Sequence, residues 1–152
     1  MDRLTAMRVF VNVVDLFTLI PDQQHPHGLS DDAFDRLFTL DKPVIFNFHA
    51  YPALIHKLCY RRRNHANFHV HGYREQGDVN TPFELAILNG IDRYSLAMDV
   101  LKRVPRLRTC SAAHMQTLLA LQAQALAQAR TEGIDSDDIV NWRWPAAGTL
   151  RH

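Results

Sequence analysis

Two short apolar runs, PVIFNF at 43–48 and NFHVHG at 67–72, stand on either side of one helical pattern. The first is bounded by Asp41-Lys42 before it and by His49-Ala50-Tyr51-Pro52 after it, which marks it as a buried strand. Pro52 fits the first turn of a helix, and Ile55, Leu54 and Leu58 recur behind it at helical spacing. The second run alternates, with Phe68 and Val70 on one side and His69 and His71 on the other, so it reads as a strand with one polar face. A strand, a helix and a strand in this order demand parallel pairing through a right-handed crossover. The chain is thereby placed in the α/β class, with a mostly parallel sheet carrying helices on both faces in three layers.

The flanks extend the same pattern. MRVFVNVVDL, Met7–Leu16, is Val-rich and apolar on both alternating faces, and is expected to be the first strand. IPDQQHPHGLSDD reads as a loop, and Ser30 caps a short helix that carries acids in its first turn and ends near Thr39. Thr81-Pro82 opens a helix that Asn89-Gly90 stops, a second covers Ile91–Val104 up to Pro105, and a third covers Ser111–Glu132 before Gly133. The tail IVNWRWPAAG alternates Trp142 and Trp144 with polar neighbours. Three strands are few for a sheet covered on both faces, and the sheet is expected to be incomplete at its start.

Composition narrows the function. A chain of 152 residues suits one domain with a real core. Lys+Arg 17 against Asp+Glu 16 leaves no cationic surplus, so no nucleic-acid partner is expected. Cys59 and Cys110 are too few for a disulfide framework, no leader pattern opens the chain, and no apolar run approaches the ~20 residues that cross a bilayer. A cytoplasmic protein without a membrane partner is expected.

The densest chemistry lies in YRRRNHANFHVHGY, Tyr60–Tyr73. Its H-x-H supplies two metal ligands at most, with no cysteine pair nearby, so no metal site is expected. His25 and His27, between Pro and Gly, suit an ordinary loop as well as a cation site. Arg61, Arg62 and Arg63 follow an apolar helical face; they suit either cations at a helix C-terminus or a clamp for phosphate or carboxylate. Cys59 falls among bulky apolar residues and is expected in the core. No P-loop or G-x-G-x-x-G occurs. In a βαβ unit, Arg61–His65 must turn at the end where the strands begin, while His49 and the segment after His71 lie at the carboxyl ends, where ligands of open α/β sheets sit. His49, His71 and Tyr73 are therefore the candidates for a ligand-facing or interface surface.

Several longer runs go further. VNVVDL at Val11–Leu16, HPHGLSD at His25–Asp31, DKPVIFNFHAYPALIHKLCYRR from Asp41 to Arg62, HVHGYREQGDVNTPFELAILNGIDRYSLAMDV, and the closing NWRW resemble the C-terminal domain of phosphoketolases over nearly the whole chain. The resemblance implies a fold like the transketolase C-terminal domain, here lacking that domain's first strand and helix. Phosphoketolases use thiamine diphosphate and magnesium to cleave xylulose 5-phosphate or fructose 6-phosphate with phosphate, giving acetyl phosphate and an aldose phosphate. By resemblance, the residues that hold the cofactor and do this chemistry belong to preceding domains. This sequence has no Gly-Asp-Gly motif, and no catalytic, cofactor or metal residue maps onto it.

Two readings follow. The chain is a non-catalytic domain or fragment that partners the remaining phosphoketolase domains and supports a homo-oligomer, or it is a stand-alone anion-binding or regulatory module built on the arginine-histidine stretch.

Overall fold

The structure is a computed structural model, and it describes residues 14–73, 80–107 and 111–143. It contains α1 (Asp31–Phe38), β1 (Val44–Phe48), α2 (Pro52–Cys59), β2 (Phe68–Gly72), α3 (Pro82–Leu88), α4 (Arg93–Arg103), α5 (Ser111–Glu132) and α6 (Asp137–Val140). β1 and β2 pair in parallel, with Val44 opposite Phe68 and Phe48 opposite Gly72. α2 is the crossover between them, which confirms the α/β reading. Most of the expected first strand, 7–13, lies outside the described residues. Its last part is not strand: Asp15 accepts a hydrogen bond from Phe17 N (3.0 Å) and caps a 3-10 helix over Leu16–Leu19.

Period-two alternation decides which helix covers which face. Val44, Phe46, Phe48, Phe68 and Val70 point to one side, where they meet Phe34 and Phe38 of α1 and Ile55 and Cys59 of α2. Phe34, Phe38 and Phe68 form an aromatic cluster with ring centroids 4.4–6.0 Å apart. Burying each such ring contributes on the order of 2–3 kcal/mol, so this cluster is the main apolar anchor of the sheet. β1 is half-buried rather than buried as expected, with Asn47 exposed, since it has one described strand neighbour. His69 and His71 point to the other face, toward α4, and α5 packs along α4 through Gln122, which donates to Asp92 Oδ2 (3.0 Å) and Ser95 Oγ (2.9 Å).

Helix ends follow local chemistry. Ser30 Oγ accepts from Ala33 N at the start of α1, and Thr81 and Glu84 form a reciprocal capping box at α3. Arg130 on α5 bonds Glu84 (2.9 Å), and this bond, with that from Thr81 N, holds the Glu84 carboxyl below its usual range. α4 starts two residues later than the apolar pattern suggests, because Asp92 caps it through Tyr94 N and Ser95 N. Gly90 adopts φ +66° in the turn between α3 and α4, a conformation that favours glycine. The short α6 lies in the tail, where the sequence pattern predicts no helix.

At the end of the sheet where the strands begin, Arg62 is 2% exposed. Its Nε donates to Leu19 O (3.2 Å), Nη2 to Leu29 O (2.9 Å) and Nη1 to Asp31 Oδ1 (2.8 Å), and its guanidinium lies 4.3 Å from the Phe34 ring centroid. Asn64 adds a second tie, donating to Phe38 O (2.9 Å) and Lys42 O (3.0 Å). Asp31 is 63% exposed, so the ion pair itself is screened and the bonds to the two carbonyls stabilise more. Arg62→Ala is expected to destabilise the fold by about 3 kcal/mol, because it strands Leu19 O, leaves Leu29 O with Asp22 N alone, and empties a buried site. Asp31→Asn, by contrast, should cost under about 1 kcal/mol. Urea unfolding of both variants checks this, and equal losses would contradict it.

Candidate functional site at the carboxyl ends of the strands

β1 and β2 end side by side, and the turn after β1 lies directly over the last residue of β2. A Cβ on Gly72 would come within 2.2 Å of Pro52 Cδ and 2.4 Å of Ala50 O, so only glycine allows this approach. The close approach lets Tyr73 N donate to both Phe48 O and Ala50 O at 3.1 Å. It also stacks the Tyr73 ring on His49, centroids 4.6 Å apart and planes 14° from parallel. His49 is exposed and Tyr73 half-buried, so the stack presents a flat aromatic surface to the outside.

His71 turns away from this stack to the α4 face. Its Nε2 lies 2.9 Å from Asp99 Oδ2, which also accepts from Arg103 Nε at 3.0 Å, an i,i+4 pair along α4. Burial pushes the Asp99 carboxyl up, but the bonds from Arg103 and His71 outweigh it and hold that carboxyl below the usual range. His69, on the same face, is lowered first by burial and then by the nearby Arg103 charge, against a smaller opposing pull from Asp99. The arrangement fixes the His71 ring and ties β2 to α4. It presents an imidazole held by a carboxylate, with no hydroxyl or thiol bonded to it among the described residues.

The sequence candidates are thus split between two ends. His49 and Tyr73 touch, His71 shares their end but faces the opposite side, and Arg61–Arg63 lie at the far end. There Arg62 is consumed by internal partners, Arg63 pairs with Asp35 at 3.3 Å, and Arg61 lies 5.3 Å from the Tyr60 ring centroid. Cys59 is in the core, and burial pushes its thiol up to about 11. His25 stacks on Phe17 at 4.4 Å and meets His27 edge-on at 5.4 Å. Among the described residues, no three His, Cys, Asp or Glu side chains gather to hold a metal ion. Asp99 and Arg103 escape the sequence reading; their signal is the D-x-x-x-R spacing on a helix that follows the histidine strand. A concavity of about 660 Å³ lies apart from these residues, between the start of α3 and the ends of α5 and α6, with Thr81, Glu84, Arg130 and Asp135 among its lining.

A parallel βαβ core with helices on both faces defines an α/β domain consistent with the C-terminal domain of transketolase-like enzymes. The XFP C-terminal domain family matches residues 2–144, and the chain belongs to that family. It is 61% identical over 137 residues to a probable phosphoketolase of Synechococcus elongatus and 58% identical over 136 residues to one of Synechocystis sp.. Each match covers 90% of this chain and 17% of the relative. A probable phosphoketolase of Nocardia farcinica is 50% identical over 145 residues, 95% of this chain and 18% of that protein. The chain therefore spans less than a fifth of the length of the curated relatives it matches.

Three lowered groups, His69, Asp99 and Glu84, give a pH prediction. A histidine with a lowered folded value binds fewer protons folded than unfolded, so stability should fall as pH drops below its ordinary 6.5. Asp99, also lowered, contributes stability present above its ordinary 3.8 and lost as pH falls below that value toward the folded one. Unfolding free energy measured from pH 7 to pH 3 should decline in two stages, the lower one shared by Glu84 and Asp99. His69→Gln should flatten the upper stage and Asp99→Asn should shrink the lower, leaving the part due to Glu84; an unchanged profile in both would refute the assignment.

Proposed function

We propose that this chain serves as the C-terminal, non-catalytic part of a thiamine-diphosphate-dependent phosphoketolase. That enzyme, an aldehyde-lyase of carbohydrate metabolism, would convert xylulose 5-phosphate or fructose 6-phosphate plus phosphate to acetyl phosphate and an aldose phosphate. The supporting observation is the family match over residues 2–144, set beside relatives called probable phosphoketolases of which the chain covers 17–18%. The domain's contribution is assembly: it partners the remaining domains and supports the homodimer, with the His49–Tyr73 stack at the end of the sheet where open α/β sheets meet ligands or neighbours, and the Asp99-held His71 bracing that end from the α4 side. A cytoplasmic setting accords with the absence, among the described residues, of any helix long and apolar enough to cross a membrane. The Arg62 geometry weighs against the stand-alone anion module, since each nitrogen of that fork donates inside the fold.

Thiamine diphosphate with magnesium supplies the carbon–carbon bond chemistry when bound, and the protein must position it. On this reading the isolated chain should show no stoichiometric binding of the cofactor with magnesium by calorimetry. A chimera of the Synechococcus elongatus relative, its matching C-terminal part replaced by this chain, should form acetyl phosphate from xylulose 5-phosphate. One-to-one cofactor binding by the isolated chain near about 1 μM, or an inactive but folded chimera, would overturn the reading.

A further inference from the structure

The chain beyond α5 is attached differently from the rest of the domain. α5 ends at Glu132, and Gly133 turns the chain with φ +71°, a left-handed conformation, at a place where an added Cβ would meet nothing within 4 Å. None of residues 134–143 is buried; Ile134 is 64% exposed and Val140 59%. The segment nevertheless crosses the starts of two helices. Asp135 Oδ2 accepts from Phe83 N (3.1 Å) at the start of α3. Farther along, Arg93 at the start of α4 donates from Nη1 to Asp138 O (3.2 Å) and lies 5.5 Å from the Trp142 ring centroid. Concavities flank the segment, one of about 660 Å³ toward α3 and α5 and one of about 120 Å³ toward α4 and α5.

Stability is not uniform across such a structure. A segment held by polar ties at an exposed surface, without buried apolar side chains of its own, opens at a free energy well below that of global unfolding. These ties are two hydrogen bonds and a cation–π contact, whereas the body behind them holds Met98, Leu101 and Leu107 in its interior. Gly133 supplies the hinge, because an unobstructed residue at the end of an element absorbs changes in φ and ψ without displacing its neighbours. α6 has four residues, too few to persist as a helix in water once it is detached. We infer that residues 134–143 form a strap, hinged at Gly133, that detaches from α3 and α4 as one unit while the rest of the domain stays folded. Closed, the strap satisfies Phe83 N, a donor left over at a helix start. Open, it gives that donor to water and removes the wall of the larger concavity that Ile134, Asp135 and Val140 provide. The strap requires nothing of the phosphoketolase reading, and either can fail without the other.

Residue-resolved amide hydrogen exchange on the full chain tests this, because the two anchors share no residue and a strap that moves as a unit couples them. Arg93→Gln removes the α4 anchor and should speed exchange at Phe83 N, which bonds Asp135 and not Arg93, at least about fivefold. Leu85 N, bonded to Thr81 O within α3, and Phe34 N, bonded to Ser30 O at α1, should keep their rates in that variant. Asp135→Ala removes the α3 anchor and should speed exchange at Val140 N and Asn141 N, which close α6 on Ser136 O and Asp137 O, at least about fivefold with Phe34 N unchanged. A Phe83 rate within about twofold of the parent in Arg93→Gln would overturn the strap, since the anchors would then act separately. Equal acceleration at Phe83, Leu85 and Phe34 would overturn it as well, because the whole domain and not the strap would then be opening.

Discussion

The buried guanidinium of Arg62 fixes the geometry on which the remaining structure depends. One planar side chain collects Leu19 O, Leu29 O and the Asp31 carboxylate and lies over the Phe34 ring. Those groups belong to the 3-10 helix before the histidine loop, to the end of that loop, and to α1. The turn that carries Arg62 is itself closed by Arg62 N to Cys59 O (2.9 Å) and His65 N to Arg62 O (3.1 Å). The loop and α1 are thereby pinned to the exit of α2, and the same pinning brings Phe34 and Phe38 onto Phe68. Lysine could not replace it, because a single ammonium lacks the fork that reaches carbonyls on separate segments and the plane that stacks on a ring.

Much of the fold is legible in the sequence because local chemistry and pattern agree. Thr81-Pro82 with Glu84, the bounds of α5, and the βαβ order all follow from residues within a few positions of one another. What escapes depends on groups far apart in sequence. Nothing local in YRRRN distinguishes Arg62, with its partners 31–43 residues away, from Arg61 and Arg63, which stay at the surface. The histidines of β2 fall on one face as their alternation predicts, yet the partner that gives His71 its role, Asp99, stands 28 residues on. The apolar pattern misplaces the start of α4 by two residues because Asp92 acts as a cap rather than a helical position. Asp15 likewise sits in a strand-like pattern, although its carboxylate bonding Phe17 N makes it a turn former.

The site candidates illustrate a limit of reading by proximity in sequence. Tyr73 follows His71 by two residues, yet Tyr73 belongs to the exposed stack with His49 and His71 to the α4 face. The separation is a consequence of Gly72. A side chain there would strike Pro52 and Ala50 O, so the glycine lets the chain turn against the β1 loop and redirects the residue after it. His49 and Tyr73 are therefore a pair by topology, brought together by parallel strands that end at one level.

The two ends of the sheet carry opposite physics, and this bears on what the domain can do. At the end where the strands begin, the cationic group is 2% exposed and three of its nitrogens are engaged, so an arriving anion would have to break internal bonds before gaining any. At the carboxyl ends, the His49–Tyr73 stack is open and the Asp99 carboxylate is held ionised between His71 and Arg103. Arg103 and His71 share one carboxylate oxygen, so Asp99 alone joins the His71 ring of β2 to the Arg103 guanidinium on the last turn of α4. The carboxyl end thus presents its aromatic stack outward, while the arginine end keeps its central cation inside the frame.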